Sequence, residues 1–524
     1  MPKILIADAL SEVAISSLRE TGLETDVKTG LSEDELVELI GNYEGVIVRS
    51  GTKVTARVLD AAKKLKVVGR AGVGVDNVDV EAASRRGVVV MNTPLGNITS
   101  AAEHALALLM ALARNIPAAD WSMKSGQWDK KRFAGVELAE KTLGVVGMGK
   151  IGQIVTRTML AKGMKVLAFD PFLPERRARE LGATLVEFDD LLARADFITI
   201  HAPLTDRTRD LFDAGAFGKM KKGVRIVNCA RGGIVNEADL AKALADGKVA
   251  GAALDVFEQE PLPAESPLRG VPNVVLTPHL GASTKEAQEK VADAIAEQFA
   301  LFFTTGKILN AVNLSVTLTP EIEPFANLAR TLGSMLSQLS SKPPVRLLCS
   351  ARGRIAAEDT HALAVSALQG LLSHWHDRTV NLVNAPMVAE ERGIVITEEK
   401  SLESPSYANV VRVAVETDDG ECSVAGTVFE GREPRITEID GFVVDIKPEG
   451  HMIVLFYPDR PGMVGKFGTI LGNADINIAG MDVGRKEKRG RACIALSVDE
   501  VVPPSVLDEM RKAIETGEAH LVKL

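Results

Sequence analysis

The chain has no closely spaced cysteine pair: Cys229, Cys349, Cys422 and Cys493 are scattered, with no CxxC among them. That spacing excludes a disulfide framework and a zinc knuckle and suits a reducing compartment. Basic residues are not in excess either. Lys and Arg number 61 against 70 Asp and Glu, a formal charge of −9, and they lack the basic stripe of a nucleic-acid-binding protein. No stretch approaches the roughly 18 apolar residues of a transmembrane helix. The opening MPKILIADAL has neither the apolar core nor the small-residue cleavage site of a targeting signal. Internal repeats and low-complexity tracts are also missing. These absences leave a soluble cytoplasmic protein as the expectation, with no nucleic acid, membrane or metal among its partners.

At 524 residues the chain exceeds one hydrophobic core, and at roughly 100 to 200 residues per domain three or four are expected. From residue 3 to about 92, β-branched runs (ILIAD, VIVRS, VVGRAG, VVVMNTP) alternate with helical patterns such as SEDELVELIG, the texture of βαβ units and a parallel sheet. A helix is expected over about Ser100 to Arg114. Between about 143 and 278 six strand-like runs (LGVVG, KVLAFD, FITIHAP, RIVNCA, AGAALDVF, NVVLTP) repeat the alternation. Helical spacing of Val291, Ile295, Phe299 and Phe302 predicts a helix over Ser283 to Thr304, which comes after the second sheet is complete and returns to the first unit. After about 313 two helical patterns, 320–340 and 357–375, precede alternating strands such as NVVRVAVET and GFVVDIKP. The last 74 residues read as a ferredoxin-like βαββαβ module. The fold class expected is therefore α/β, with two doubly wound parallel-sheet units followed by an α+β region and that small module.

The second unit opens with LGVVGMGKIG, which holds Gly147-x-Gly149-x-x-Gly152, and Asp170 closes the next strand, KVLAFD, 18 residues beyond Gly152. A dinucleotide pyrophosphate needs backbone N–H groups at a helix N-terminus with no side chain in the way. Gly147 and Gly149 leave that room, Gly152 lets the helix pack against the strand, and Asp170 is placed for both ribose hydroxyls. A carboxylate there repels a 2′-phosphate, so NAD is expected over NADP. Downstream come Arg231 in NCARGG, Glu260 in DVFEQEP and His279 in TPHLG. Oxidising a 2-hydroxy acid needs a base, a cation for the carboxylate and a hydride acceptor. His279 suits the base, Glu260 a carboxylate that fixes its tautomer, and Arg231 a planar fork for the substrate carboxylate. Singly, each residue has a plainer reading as a capping histidine, a surface turn or an exposed loop carboxylate. Their joint order after successive strands favours chemistry.

The blocks GMGKIG, HAPLT, NCARGGIVNE, GAALDVFEQEP and TPHLGASTKEAQ, with VRSGTKV and GRAGVGVDNVD upstream, resemble the D-isomer-specific 2-hydroxyacid dehydrogenases, and within them the long forms that act on 3-phosphoglycerate. The resemblance implies a split substrate domain, 1–94 with 280–312, around a Rossmann NAD domain, 95–279. It also implies an intervening domain, 313–450, and an ACT domain, 451–524. It places Lys150, Ile151, His201, Pro203 and Asp255 at the cofactor and Arg49, Gly72, Val73, Gly74 and Arg132 at the substrate. Arg70, Lys130 and Lys131 are further candidate cations for a phosphate, those of the 130–132 cluster either across a subunit contact or merely in a solvated loop. In the tail, DRPGMVGKFGTILGNADINIAG resembles an ACT module, and Tyr457, Asp459 and Asn477 match positions that hold L-serine at an interface between paired modules. A homo-oligomer, a tetramer, is implied. Two other functions share parts of the pattern: a glyoxylate, hydroxypyruvate or lactate dehydrogenase, and a non-enzymatic NAD-sensing interaction protein.

Overall fold

The computed structural model describes residues 1–375, 380–404, 406–430, 432–514 and 518–524. Its first sheet comprises β1 (Lys3–Ile6), β2 (Glu24–Val27), β3 (Gly45–Val48), β4 (Val67–Arg70) and β5 (Val89–Asn92). They run parallel in the order β2-β1-β3-β4-β5. Every residue of β3 is buried, as expected where helices cover both faces of a parallel sheet. One covering helix is Lys285–Thr305, which starts two residues later than its pattern suggests because Thr284 caps it by accepting from Ala287 N–H. It does return to the first sheet. Its Val291, Ile295 and Phe299 enter that core, and the Phe299 ring lies so close to Gly45 and Gly69 that a Cβ at either would collide with it.

The second sheet holds β6 (Thr142–Val146), β7 (Lys165–Phe169), β8 (Thr184–Leu185), β9 (Phe197–Ile200), β10 (Val224–Asn228), β11 (Val249–Leu254) and β12 (Val274–Leu276). The order is β12-β11-β10-β9-β6-β7-β8. The six expected strands are present, and β8 adds a seventh at the edge. Two residues long, it has no periodicity to read. From β6 the chain moves outward to β7 and then crosses to β9, so a topological switch point, where α/β folds collect ligands, lies between β6 and β9. The helix expected over Ser100 to Arg114 spans Ile98–Ala113, with Ala102, Ala105, Leu109 and Leu112 on its buried side.

The third region is a mixed sheet of β13 (Arg346–Gly353), β14 (Val395–Ser401), β15 (Asn409–Thr417), β16 (Gly420–Phe429), β17 (Glu433–Ile439) and β18 (Phe442–Ile446), ordered β14-β13-β15-β16-β17-β18. Its two long helices are shorter than their patterns, at Glu323–Leu339 and His361–Leu372, and a separate 3-10 turn, Arg354–Ala357, precedes the second. The helices cross closely: a Cβ at Gly333 would strike the Ala367 carbonyl, and one at Gly370 the Arg330 carbonyl.

The tail forms β19 (His451–Pro458), β20 (Ile478–Arg485), β21 (Arg491–Val498) and β22 (Ala519–Lys523), ordered β20-β21-β19-β22. Helices Met463–Asn473 and Pro504–Ile514 complete the βαββαβ order. Glu515 and Thr516, which the pattern PPSVLDEMRKAIET assigns to the second helix, lie outside the described residues. The edge strand β20 abuts β18: Asp445 N–H donates to Asp482 Oδ2 at 2.7 Å, and a Cβ at Gly484 would lie 2.6 Å from the Val443 carbonyl oxygen.

Candidate active site

The helix Lys150–Ala161 begins at Gly149 with no side-chain cap, so its first N–H groups point into the space beyond β6. A Cβ at Gly149 would meet nothing within 4 Å, leaving that approach open to a pyrophosphate. The other two glycines answer to contacts within the protein. Gly147 has φ +91 and lies against the His201 main chain, while a Cβ at Gly152 would strike the Gly147 carbonyl. Lys150 is exposed and Ile151 half-buried in the first helical turn. Asp170 follows β7 and accepts from Met148 N–H and Phe172 N–H, at 2.8 Å and 2.9 Å. The carboxylate is thereby tied to the glycine loop. A cavity of about 560 Å³ beside it is lined by Pro171, Leu173 and Val186 among others, which suits an adenosine. His201 bonds Thr199 Oγ1 at 3.0 Å, and burial pushes its pKa down to about 4, so the ring is neutral. Pro203 is exposed in the same loop, its carbonyl accepting from Thr208 Oγ1 at 2.7 Å. These residues fit NAD through an uncapped helix, an unobstructed glycine and a carboxylate at the ribose end.

The loops after β10, β11 and β12 converge at the carboxyl end of the second sheet. His279 Nδ1 lies 2.7 Å from Glu260 Oε2, and Phe257 N–H donates to Glu260 Oε1 at 3.0 Å. The Glu260 hydrogen bond raises the His279 pKa over the opposing effect of burial. For Glu260, burial pushes the pKa up, but the bonds from His279 and Phe257 outweigh it and the net shift is downward. His279 has φ +56, and Asp255 beneath it holds the turn. Fully buried, Asp255 accepts from Thr277 Oγ1 at 2.6 Å, Leu280 N–H at 2.7 Å and Gly281 N–H at 2.8 Å, with His104 Nε2 3.0 Å away. Asp255, expected at the cofactor, thus has both oxygens committed to the turn that carries the base.

Arg231 is set by Asn228, which donates to the Arg231 carbonyl at 2.9 Å and accepts from Ala230 N–H at 3.0 Å. Gly232 permits the loop to touch Phe257, whose carbonyl a Cβ there would strike, so the Arg231 and Glu260 loops are in contact. Across the cleft Arg231 Nε lies 3.1 Å from Asp76 Oδ2, and a Cβ at Gly74 would strike its guanidinium. The segment Gly72, Val73, Gly74 is held by Asn92 Nδ2, donating to the Val73 carbonyl at 2.6 Å. Beneath it Arg70 is packed against Gly72, its Nε buried with no hydrogen-bond partner among the described residues. Burial, then the charge of Arg231, lowers the Arg70 pKa to about 10, and Arg49 contributes in the same sense. Arg49 and Arg231 both act on Arg70 through their charge, with Asp76 among them, and Arg231 also acts on His279. Arg132 stands apart, exposed in the 128–133 loop with its guanidinium over Phe133. Asp76, His104 and Thr277 are additional site residues. Asp76 and Thr277 lay within quoted blocks, GRAGVGVDNVD and TPHLG, but nothing in the sequence marked their partners, and His104 lay in none.

The family model for the NAD binding domain of D-isomer specific 2-hydroxyacid dehydrogenases matches residues 106–281. The D-3-phosphoglycerate dehydrogenase intervening domain matches residues 321–440 and the ACT domain 451–515. A D-3-phosphoglycerate dehydrogenase of Archaeoglobus fulgidus is 46% identical over 100% of both chains, and one of Synechocystis sp. 45% identical over 100% of this chain and 95% of that one. The chain belongs to the D-3-phosphoglycerate dehydrogenase family. It is an NAD-dependent dehydrogenase. Among solved structures, the NAD-dependent formate dehydrogenase of Staphylococcus aureus in complex with NAD is 30% identical, covering 61% of this chain and 100% of its own, with a TM-score of 0.55. A glyoxylate reductase of Paecilomyes thermophila is 29% identical over 59% of this chain and 98% of its own, TM-score 0.55.

Within this family member the three tail residues do not meet. Tyr457 is buried at 2% exposure, its ring edge-on to Phe467 with centroids 5.2 Å apart. Asp459 lies beyond the end of β19 near Arg485, at 3.4 Å. Asn477 precedes β20 and donates to Asp499 Oδ2 at 2.7 Å. Pro458 pairs with Arg491 and Ile478 with Val498, so Asp459 and Asn477 sit at opposite ends of β21, about 23 Å apart at roughly 3.3 Å per residue.

Proposed function

We propose that the chain oxidises the C2 hydroxyl of 3-phosphoglycerate to the ketone of 3-phosphohydroxypyruvate, the first step of the phosphorylated route to L-serine. The observation that carries this reading is the 2.7 Å His279–Glu260 pair facing Arg231 and the Gly72–Gly74 segment. NAD, when bound, supplies the hydride acceptor. Glu260 holds Nδ1 of His279, leaving Nε2 to take the hydroxyl proton as the C2 hydride leaves. Glu260 stabilises the imidazolium that results. Arg231 anchors the substrate carboxylate and polarises the C2 oxygen, with main-chain N–H groups of Gly72, Val73 and Gly74 and the Arg49 side chain as further carboxylate contacts. Arg70, with its unpaired Nε, suits the phosphate. Lys130, Lys131 and Arg132 suit it from a neighbouring copy.

The proposed division is a substrate domain (1–94 and 280–312), an NAD domain (95–279), an intervening domain (313–450) and an ACT domain (451–524). Assembly into a homo-oligomer, a tetramer, is supported by an apolar surface on the helix Ile116–Lys124 and the loop after it, where Trp121 is 74% and Trp128 83% exposed. The ACT module is proposed as a serine sensor built between copies, Asp459 of one and Asn477 of another. No helix of the described residues is long and apolar enough to cross a membrane, and a cytoplasmic site of action fits the four cysteines, all free. NADH formation measured in parallel with 3-phosphoglycerate, D-glycerate and D-lactate tests the reading. The kcat/KM for 3-phosphoglycerate exceeds the others by at least an order of magnitude, and a preference for lactate would replace this proposal with another 2-hydroxy acid.

A further inference from the structure

A cavity of about 840 Å³ opens where the first sheet meets the third region. Its walls include the segment 62–66 before β4, the turn Arg85–Gly87 before β5, Phe302 and Ile308 from the returning helix and the chain after it, and Asn381 to Val388. These are the amino ends of β4 and β5, whereas Arg70 and the Gly72–Gly74 segment follow their carboxyl ends. The cavity is therefore a second site, on the side of the sheet away from the cleft.

Its chemistry is two-sided. Lys63, Lys64 and Lys66 line it, all exposed, and none makes an ion pair among the described residues. Arg85 and Arg86 also line it but are engaged by Glu81 and Asp60. The carboxylates on the lining are Glu44, which accepts from Lys3 N–H, and Glu391. The apolar part of the lining is Leu65, Phe302, Ile308, Leu382 and Met387. Three uncommitted ammonium groups over an apolar floor, in a volume within the roughly 300–1,000 Å³ of small-molecule sites, call for a multiply charged anion on an apolar body.

The walls are also wired to the cleft. Asn381 Nδ2 donates to the Gly87 carbonyl at 2.6 Å, and Val383 is buried in the first sheet's core. Asn313 clamps β5 from the linker, donating to the Val88 carbonyl and accepting from Val90 N–H, both at 2.9 Å. At the far end of β5, Asn92 holds Val73 through its side chain, and its carbonyl accepts from Gln298 Nε2 at 3.1 Å. Gln298 lies on the same helix as Phe302. A ligand that moves this helix or β5 acts on the substrate loop.

We propose that this junction cavity binds an organic phosphate with an apolar body and that its occupancy alters substrate affinity in the cleft. The binding claim stands independently of the reaction; the coupling claim rests on the proposed reaction. Calorimetry on the full chain saturated with NAD, with 1-naphthyl phosphate as probe and 1-naphthol and inorganic phosphate as comparisons, tests the first. Saturable binding is expected for the naphthyl phosphate, weaker by tenfold or more for either comparison. Lys63→Gln/Lys64→Gln/Lys66→Gln is expected to weaken it at least tenfold, as is Met387→Trp, which fills the floor without touching the charges. No saturable binding, equal binding of 1-naphthol, or unchanged affinity in both variants overturns the site. For the coupling, the probe is expected to change the KM for 3-phosphoglycerate at least twofold in the parent and not in the triple variant. An unchanged KM, or a change that persists in the triple variant and so reports competition at the cleft, overturns it.

Discussion

Glu260 and His279 lie 19 residues apart in the chain and their side chains meet at 2.7 Å. Asp459 and Asn477 are 18 residues apart and sit at opposite ends of a sheet. The difference is topological. In the parallel sheet each strand is followed by a crossover that returns the chain to the same end, so the loops after β10, β11 and β12 are stacked side by side and their residues converge. In the tail module β19 and β20 also run parallel with a helix between them, but Asp459 follows β19 whereas Asn477 precedes β20, so the two lie at opposite ends of the sheet. One chain completes a catalytic site of the first kind. A ligand site using both Asp459 and Asn477 needs two chains.

The largest effect expected from breaking the first arrangement is that of His279→Ala. Turnover falls on the order of 100- to 10,000-fold, the range of general acid–base catalysis, while NAD binding by fluorescence or calorimetry is retained. Asp170→Ala comes next: the loss of a charged acceptor for the ribose hydroxyls, at about 1.5–3 kcal/mol for a hydrogen bond to a charged group, raises the Michaelis constant for NAD by about tenfold or more and narrows its advantage over NADP. An NADP constant already below that of NAD in the parent would contradict the assignment. The smallest effect probes the second arrangement. Asp459→Ala and Asn477→Ala chains each lose serine binding when pure. In a mixed pair one of the two Asp459–Asn477 sites is intact, so random co-assembly of equal amounts restores about a quarter of the sites of the parent. No recovery on co-assembly would mean that each chain binds serine by itself or that these residues do not bind it.

The legibility of the molecule follows the same division. The glycine fingerprint, the strands around it and the order Arg231, Glu260, His279 could be read because parallel βα units repeat one local pattern and deliver its loops to one edge. The return of helix Lys285–Thr305 to the first sheet was visible in its late apolar stripe, but the split domain it implies came from the resemblance. Strand β8 escaped because two residues carry no alternation. Asp255 was expected at the cofactor because it sits in a signature block. Its burial beneath the His279 turn depends on Thr277, Leu280 and Gly281 folding back over it, a long-range arrangement that spacing does not encode. The Arg231–Asp76 bridge spans two units for the same reason. Alternation along β19 puts Tyr457 on the face that packs against Phe467, a contact the resemblance did not reveal.

The pH dependence of kcat/KM tests the catalytic pair most directly. His279 must be unprotonated to take the hydroxyl proton, and Glu260 holds its pKa above the ordinary histidine value, so activity rises with pH through an acid limb that belongs to the coupled pair. Replacing the carboxylate in Glu260→Gln removes the charge that favours the imidazolium. The limb is then predicted to move to lower pH, with a fall in the maximal rate, while NAD binding is unchanged. Parent and variant profiles with the same acid limb would contradict the account.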